Sequence, residues 1–232
     1  MSIGFQKVCA GSGLVFVVLM FGSMFLFTPL VPPPSPSMDA ATIAALYSQN
    51  HMGLLVGLSL AMTSTLFLVP WTALISLHMA RMEGVSPILS IIQAISAAVV
   101  GLIILVPVMC WVTAAYRVDR APEIVQALND FGWLFLVMTF PVPTVQLLSI
   151  GIATLSDKSV DSVFPRWAGY FNLWMGILFI PGVLTGFFFT GPFAYNGVIG
   201  FWIPVVAFVL WFMLMTPVLF RAIGQQEARG PG

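Results

Sequence analysis

The chain has 232 residues, eight basic and eight acidic side chains, a net charge of zero, and a composition that is 59% hydrophobic and 7% charged. This balance excludes an ordinary water-soluble domain and points to a chain whose solvent is lipid. No nucleic-acid partner, cofactor or metal is expected.

A hydrocarbon core of about 30 Å takes about 20 apolar residues in a helix. Six uncharged runs reach that length, at residues 8–30, 52–79, 87–115, 131–154, 167–189 and 198–220. They are read as helices because lipid offers no partner to an exposed backbone group, and the period-2 alternation of a membrane barrel is missing. The expected fold is all-α, a single polytopic membrane domain over 1–232 with six transmembrane helices. The first run follows Lys7, is too long for a signal-peptide core and ends in FTPLVPPPSPS without a small-residue cleavage site, so it reads as an uncleaved anchor. Trp111, Trp133 and Trp167 fall near span ends, where amphipathic rings suit the headgroup layer.

All eight basic residues lie at or beyond the span ends. With the N-terminus inside, Lys7, Arg81, Lys158, Arg166, Arg221 and Arg229 are cytoplasmic, and only Arg117 and Arg120 are external. The positive-inside rule therefore predicts both termini in the cytoplasm. The two longest connections are then external. VPPPSPSMDAATIAALYSQNH offers Ser37 or Asp39 as a helix cap and puts Ile43, Leu46, Tyr47 and Asn50 on one face. RVDRAPEIVQALNDFGW places Pro122 and Glu123 in a first helical turn and aligns Ile124, Val125 and Leu128. Both are expected to be short amphipathic helices on the outer face, the second ending in Asn129 and Asp130 as caps for the next span.

Five of the charged residues fall between Arg117 and Trp133. Asp119, Glu123 and Asp130 are close enough in sequence to pair with Arg117 and Arg120. His51, Tyr47, Tyr116, Asn129, Tyr195 and Asn196 belong to the same membrane depth. This rim holds the candidates for acid–base work, His51, Asp130, Glu123 and Asp119, and for binding a polar headgroup, Arg117, Tyr47, Tyr116, Asn129, Tyr195 and Asn196. Charged groups also belong at membrane surfaces for purely structural reasons.

Signatures of zinc hydrolysis, dithiol redox work and nucleotide hydrolysis are absent. His51 and His78 lie at opposite ends of the second span, about 40 Å apart at 1.5 Å per residue. Cys9 and Cys110 are on opposite membrane sides. No charged residue remains inside a span, which argues against an ion-coupled pump. Amides and hydroxyls do remain, including Gln93, Thr144, Gln146 and Asn172, and such groups usually join helices to one another.

In the fourth span FPVPTVQ predicts a kink at Pro141 and Pro143, with Thr144, Gln146 or water answering the carbonyls of Val137 and Thr139. Pro70, Pro107, Pro181 and Pro204 fall inside other spans. Bent helices leave room between them, so a cavity toward the outer half is expected, with Thr144 and Gln146 near its floor. Its lining of Phe, Leu, Met and Trp suits a lipid-like, terpene-like or quinone-like molecule.

The segment FPRWAGY, Phe164 to Tyr170, resembles a Pro-Arg-Trp-x-Gly signature of uncharacterised six-helix bacterial membrane proteins. The six-span layout and the external Pro/Ser segment leading to YSQNH are similar too. The resemblance implies a multi-pass protein of the bacterial inner membrane and implies no activity. The function these observations favour is binding of a hydrophobic small molecule, or service as an accessory subunit among membrane lipids. A membrane-embedded isomerase, cyclase or lyase, and a facilitative transporter, are the alternatives; oligomerisation is left open.

Overall fold

In the computed structural model, which describes residues 2–229, every regular element is helical: α1 (Ile3–Phe27), α2 (Ala40–Gln49), α3 (His51–Met79), α4 (Pro87–Tyr116), α5 (Pro122–Met138), α6 (Pro141–Ser156), α7 (Arg166–Phe179) and α8 (Ile203–Arg229). A 3-10 segment (Ile180–Phe187) extends α7, and one π turn (Val198–Trp202) opens α8. Six helical stretches are long and apolar enough to cross a membrane: α1, α3, α4, α5 with α6, α7 with its 3-10 extension, and α8 with its π turn. The chain has the architecture of a multi-pass membrane protein.

Capping residues explain several starts. Ser2 accepts from the Phe5 amide, Ser86 precedes Pro87 at the first position of α4, and Asp39 Oδ1 accepts from the Thr42 amide at 2.7 Å to begin α2. That last bond holds the Asp39 carboxyl below the usual carboxylate range. Pro165 caps α7 directly before Arg166.

The second of the two long connections departs from expectation. Residues 122–138 form one continuous helix, so RVDRAPEIVQALNDFGW is not a separate surface helix and Asp130 is not a cap. Pro122 starts α5, and nothing between it and Thr139 interrupts the hydrogen-bond ladder. The break comes where the prolines predict it, at Thr139 and Phe140, between α5 and α6. The carbonyls there are answered by backbone rather than by Thr144 or Gln146: Phe140 N–H donates to Val137 O at 3.2 Å, and Val142 N–H to Thr139 O at 2.9 Å.

The spans form a ring. Along it α1 packs on α3, α3 on α4, α4 on α5 and α6, α6 on α7, α7 on α8, and α8 returns to α1. An even number of crossings puts both termini at one end, where Lys7 pairs with Glu227 at 3.0 Å and Arg229 with Asp161 at 3.4 Å. The 157–163 loop is fastened at that end. Asp157 accepts from the Ser159 amide and hydroxyl, the Val163 amide and the Glu83 amide, at 2.6–3.2 Å.

Between α1, α3 and α8 the interior is filled. Trp71 stacks on Phe212 at 4.3 Å and meets Trp211 edge-on at 4.8 Å. Trp71 Nε1–H donates to Thr216 Oγ1, and Trp211 Nε1–H to Asn172 Oδ1. Gly13 of α1 permits this layer, because a Cβ there would overlap the Trp71 indole.

Candidate functional site

At the other end of the bundle four sequence-predicted residues come together. Tyr47 Oη–H donates to Asn129 Oδ1 at 3.1 Å; Asn129 Nδ2–H and Tyr195 Oη–H both donate to Asp130 Oδ1, at 3.1 and 3.3 Å. Tyr47, Asn129 and Tyr195 are buried and Asp130 half-buried. Burial raises both phenols above their usual range, and Asp130 beside them raises them further. Both tyrosines are therefore neutral donors at physiological pH. The four residues come from three elements: Tyr47 from the inward face of α2, Asn129 and Asp130 from α5, and Tyr195 from the loop before α8.

Directly beneath lies a pair of indoles. Trp111 Nε1–H donates to Asn129 O at 3.4 Å, Trp111 and Trp133 lie 4.5 Å apart, and Trp133 stacks on Tyr195 at 5.9 Å with 15° between planes. Both indoles are buried within the bundle, so neither is the interfacial anchor its sequence position suggests; Trp167, 50% exposed, keeps that geometry. Gly132 allows the close approach, because a Cβ there would overlap the Trp111 indole.

Below the indoles the ring encloses an apolar cavity of about 90 Å³, or about 760 Å³ of unfilled space with its open mouth included. Phe16 and Met24 of α1, Val100 and Ile104 of α4, and Trp133 and Leu136 of α5 line one side and the rim end. Phe140 and Pro143 at the kink, Phe179, Phe201 and Phe208 complete it. From Val100 to Trp111 along α4 is about 16 Å at 1.5 Å per residue, so the cavity is elongated along the membrane normal. A small annex continues it past Pro143, sharing Val100, Pro143, Phe179 and Phe208 and adding Gln146, Leu68, Thr72 and Trp211. The kink between α5 and α6 borders this space through Phe140 and Pro143. Gly182 of the 3-10 segment packs against the Val137 carbonyl at the break and holds the displaced turn.

The remaining predicted residues are elsewhere. Gln146 lines the annex and not the main cavity, whereas Thr144 faces α7 and donates to Gly176 O at 2.9 Å. His51 Nδ1–H donates to Ala115 O at 2.8 Å and, with Tyr116, Arg117 and Asp119, borders a separate open surface cleft. Glu123 is exposed at the start of α5 and Asn196 half-buried beside Tyr195. Among the described residues the ion pairs are the two at the opposite end, so the expected pairing of Arg117 and Arg120 with Asp119, Glu123 and Asp130 does not form. No His is brought to Asp130, and no group of metal-ligating side chains occurs among the described residues. Phe and Trp are the residue types expected in the wall, but Trp111, Trp133 and these phenylalanines are not singled out for it by the sequence, because indistinguishable residues face outward elsewhere.

No family model, no curated protein and no solved structure matches this chain.

Proposed function

We propose that this integral membrane protein binds an elongated hydrophobic molecule in the cavity, with its more polar end toward the Tyr47–Asn129–Asp130–Tyr195 rim. The observation that carries the reading is the cavity itself: an elongated hydrocarbon-lined space in an otherwise tightly packed ring, lying under a polar cluster that fixes two of its wall indoles. Interiors are normally packed near crystal density, so unfilled space of this extent calls for an occupant. The rim groups satisfy one another's hydrogen bonds and assemble no base–carboxylate pair, so binding is favoured over acid–base catalysis.

Native mass spectrometry of the detergent-purified protein tests this. A discrete co-purifying apolar species is expected, displaced in an Ile104→Trp variant that fills the cavity while remaining folded. Equal retention in that variant would place the species on the outer surface and overturn the reading.

The same reading places the protein in the bacterial inner membrane with both termini and the 157–165 loop in the cytoplasm, supported by the six-to-two distribution of basic residues. In a variant with Cys9 and Cys110 replaced by alanine, a cysteine at exposed Val118 should react with an impermeant maleimide in intact cells and one at exposed Val160 should not. The reverse pattern would invert the orientation.

A further inference from the structure

The cavity is closed along the bundle axis. Toward the rim, Trp111, Trp133 and Tyr195 form a layer no more than 3% exposed, and Tyr47 and Asn129 are buried with it. Toward the opposite end the annex stops against Leu68, Thr72 and Trp211, the last of which belongs to the filled layer with Trp71 and Phe212. The open mouth is therefore lateral.

Exposure of the lining residues locates it. Those from α4, from the break between α5 and α6 and from α7 are all buried. Six are half-buried, so the wall at those points is a single side chain thick: Met20, Phe21 and Val31 of α1 and the connection after it, Val205 and Phe208 of α8, and Leu136 of α5. Five of the six belong to the seam where α8 returns to α1, in the half of the bundle nearer the rim. Across that seam Phe208 meets Phe16 at 6.1 Å and Phe21 at 6.4 Å. Among the described residues no side-chain hydrogen bond joins α1 to α8 in that half; their ion pair, Lys7 with Glu227, lies at the other end. The turn of α8 that carries Val205 follows a π turn and Pro204, which has no N–H to donate, so the helical ladder beside the seam is one bond short.

We propose that the cavity exchanges its occupant with the bilayer rather than with water, through a lateral portal between α1 and α8 in which Phe21 and Phe208 form the gate. This rests on the cavity being a binding site and adds the source of its ligand, a molecule dissolved in the hydrocarbon of the leaflet on the rim side. Turning two phenyl rings breaks no hydrogen bond. A molecule that passes between them stays in hydrocarbon throughout, whereas passage through the rim would strip buried polar groups of their partners.

The test measures the rate of passage. Protein in lipid nanodiscs receives a dodecyl chain bearing a terminal diazirine, is flashed after increasing delays, and the labelled residues are read by peptide mass spectrometry. Label at Ile104 reports the cavity; label at Leu66 and Val69, exposed on α3, reports the outer surface and corrects for arrival of the probe in the nanodisc. Release is followed after dilution into probe-free nanodiscs. Phe21→Ala should speed both loading and release at Ile104 by about threefold to tenfold, the factor that loss of one aromatic pair corresponds to, and Val205→Trp should slow both. A side chain that merely fills the cavity would lower the final label without slowing its approach. Met20→Trp replaces Val205→Trp if the latter does not fold, and it must slow both steps as well.

If Ile104 is labelled at the same rate in wild type, Phe21→Ala and Val205→Trp, the portal is overturned while the cavity stands as a binding site. Slowing by Leu136→Trp alone would also overturn it, by placing the mouth at α5. If Ile104 is never labelled although Ile104→Trp displaces a co-purified species, the portal alone falls. If it is never labelled and Ile104→Trp leaves co-purified species unchanged, the binding reading is overturned and this inference with it.

Discussion

Trp71 and Trp111 occupy equivalent settings at different depths of one bundle. Each indole lies over a glycine of a neighbouring helix, Gly13 or Gly132, and each contacts a second tryptophan, Trp211 or Trp133. The layers differ in what surrounds them. Around Trp71 the space is filled by Phe212 and Trp211, and every indole N–H is paired. Around Trp111 the second indole N–H is unpaired and the next layer is empty space. One sequence thus packs one layer to completion and leaves the other open, and the open layer is the one that the break after α5 borders, through Phe140 and Pro143.

Replacing an amide by an apolar side chain of similar volume should separate the two layers most clearly. Asn172→Leu removes the acceptor of Trp211 Nε1 in the filled layer, and an orphaned buried donor costs about 1–3 kcal/mol. Gln146→Met removes an amide whose donor already lacks a partner, so thermal unfolding in detergent should show no loss, or a small gain. A comparable loss from both would mean that Gln146 is paired after all.

Added volume should discriminate in the same direction. Gly13→Ala drives a methyl into an indole held by stacking on Phe212 and an edge-on contact with Trp211, and overpacking of that kind costs about 1–3 kcal/mol. Gly132→Ala pushes Trp111 toward the cavity, where it has room, so the gain of about 1 kcal/mol in helix propensity should roughly offset the strain. Both values come from unfolding midpoints. Equal destabilisation would show the outer layer to be as rigid as the inner one.

The spans and the proline break can be read from the sequence because each depends on a local property, the length of an apolar run or a missing backbone donor. The misreading of residues 117–133 has a local cause too. Charge density there suggests a surface element ending at Asn129 and Asp130, but Pro122 starts a helix that no residue before Thr139 stops. Tyr47, Asn129, Asp130 and Tyr195 can be grouped by membrane depth, yet depth alone also admits His51, Arg117, Asp119 and Glu123. What separates them is the direction in which each helix presents its side chains. The cavity is still less accessible, since it is set by distances between helices far apart in the chain, and no residue type marks a space that is left unfilled.

The closed end supplies a pH-dependent contrast. Burial tends to raise the Asp157 carboxyl, but hydrogen bonds from Ser159, Val163 and Glu83 outweigh it and hold it below its ordinary value. Its folded-state pKa therefore lies under the unfolded one. The stabilisation is complete above about pH 4 and is lost as pH falls through the lower, folded value. Asp157→Ala should cost about 1 kcal/mol at neutral pH and show a weaker acid dependence of the unfolding midpoint than wild type. An undiminished acid dependence would assign that sensitivity to another carboxylate.

The smallest effect is expected at Asp130, and it tests whether the polar rim supports the open layer or acts on what the cavity holds. Because α5 starts at Pro122, Asp130 lies eight residues inside the helix, where the first-turn amides that would favour a capping carboxylate are out of reach. Its role in the structure is to accept from Tyr195 and Asn129 through one oxygen, Oδ1. Asparagine keeps an acceptor there, so Asp130→Asn should change stability by less than about 0.5 kcal/mol and leave Tyr195 stacked on Trp133. Alanine removes the acceptor and orphans a buried phenol, at about 1 kcal/mol. If the rim is only a support, ligand retention by native mass spectrometry follows stability, intact in Asp130→Asn and reduced in Asp130→Ala. If Asp130→Asn folds as wild type yet loses ligand as completely as Asp130→Ala, the negative charge itself is needed, and the rim then contacts the polar end of the bound molecule directly instead of only positioning the indoles beneath it.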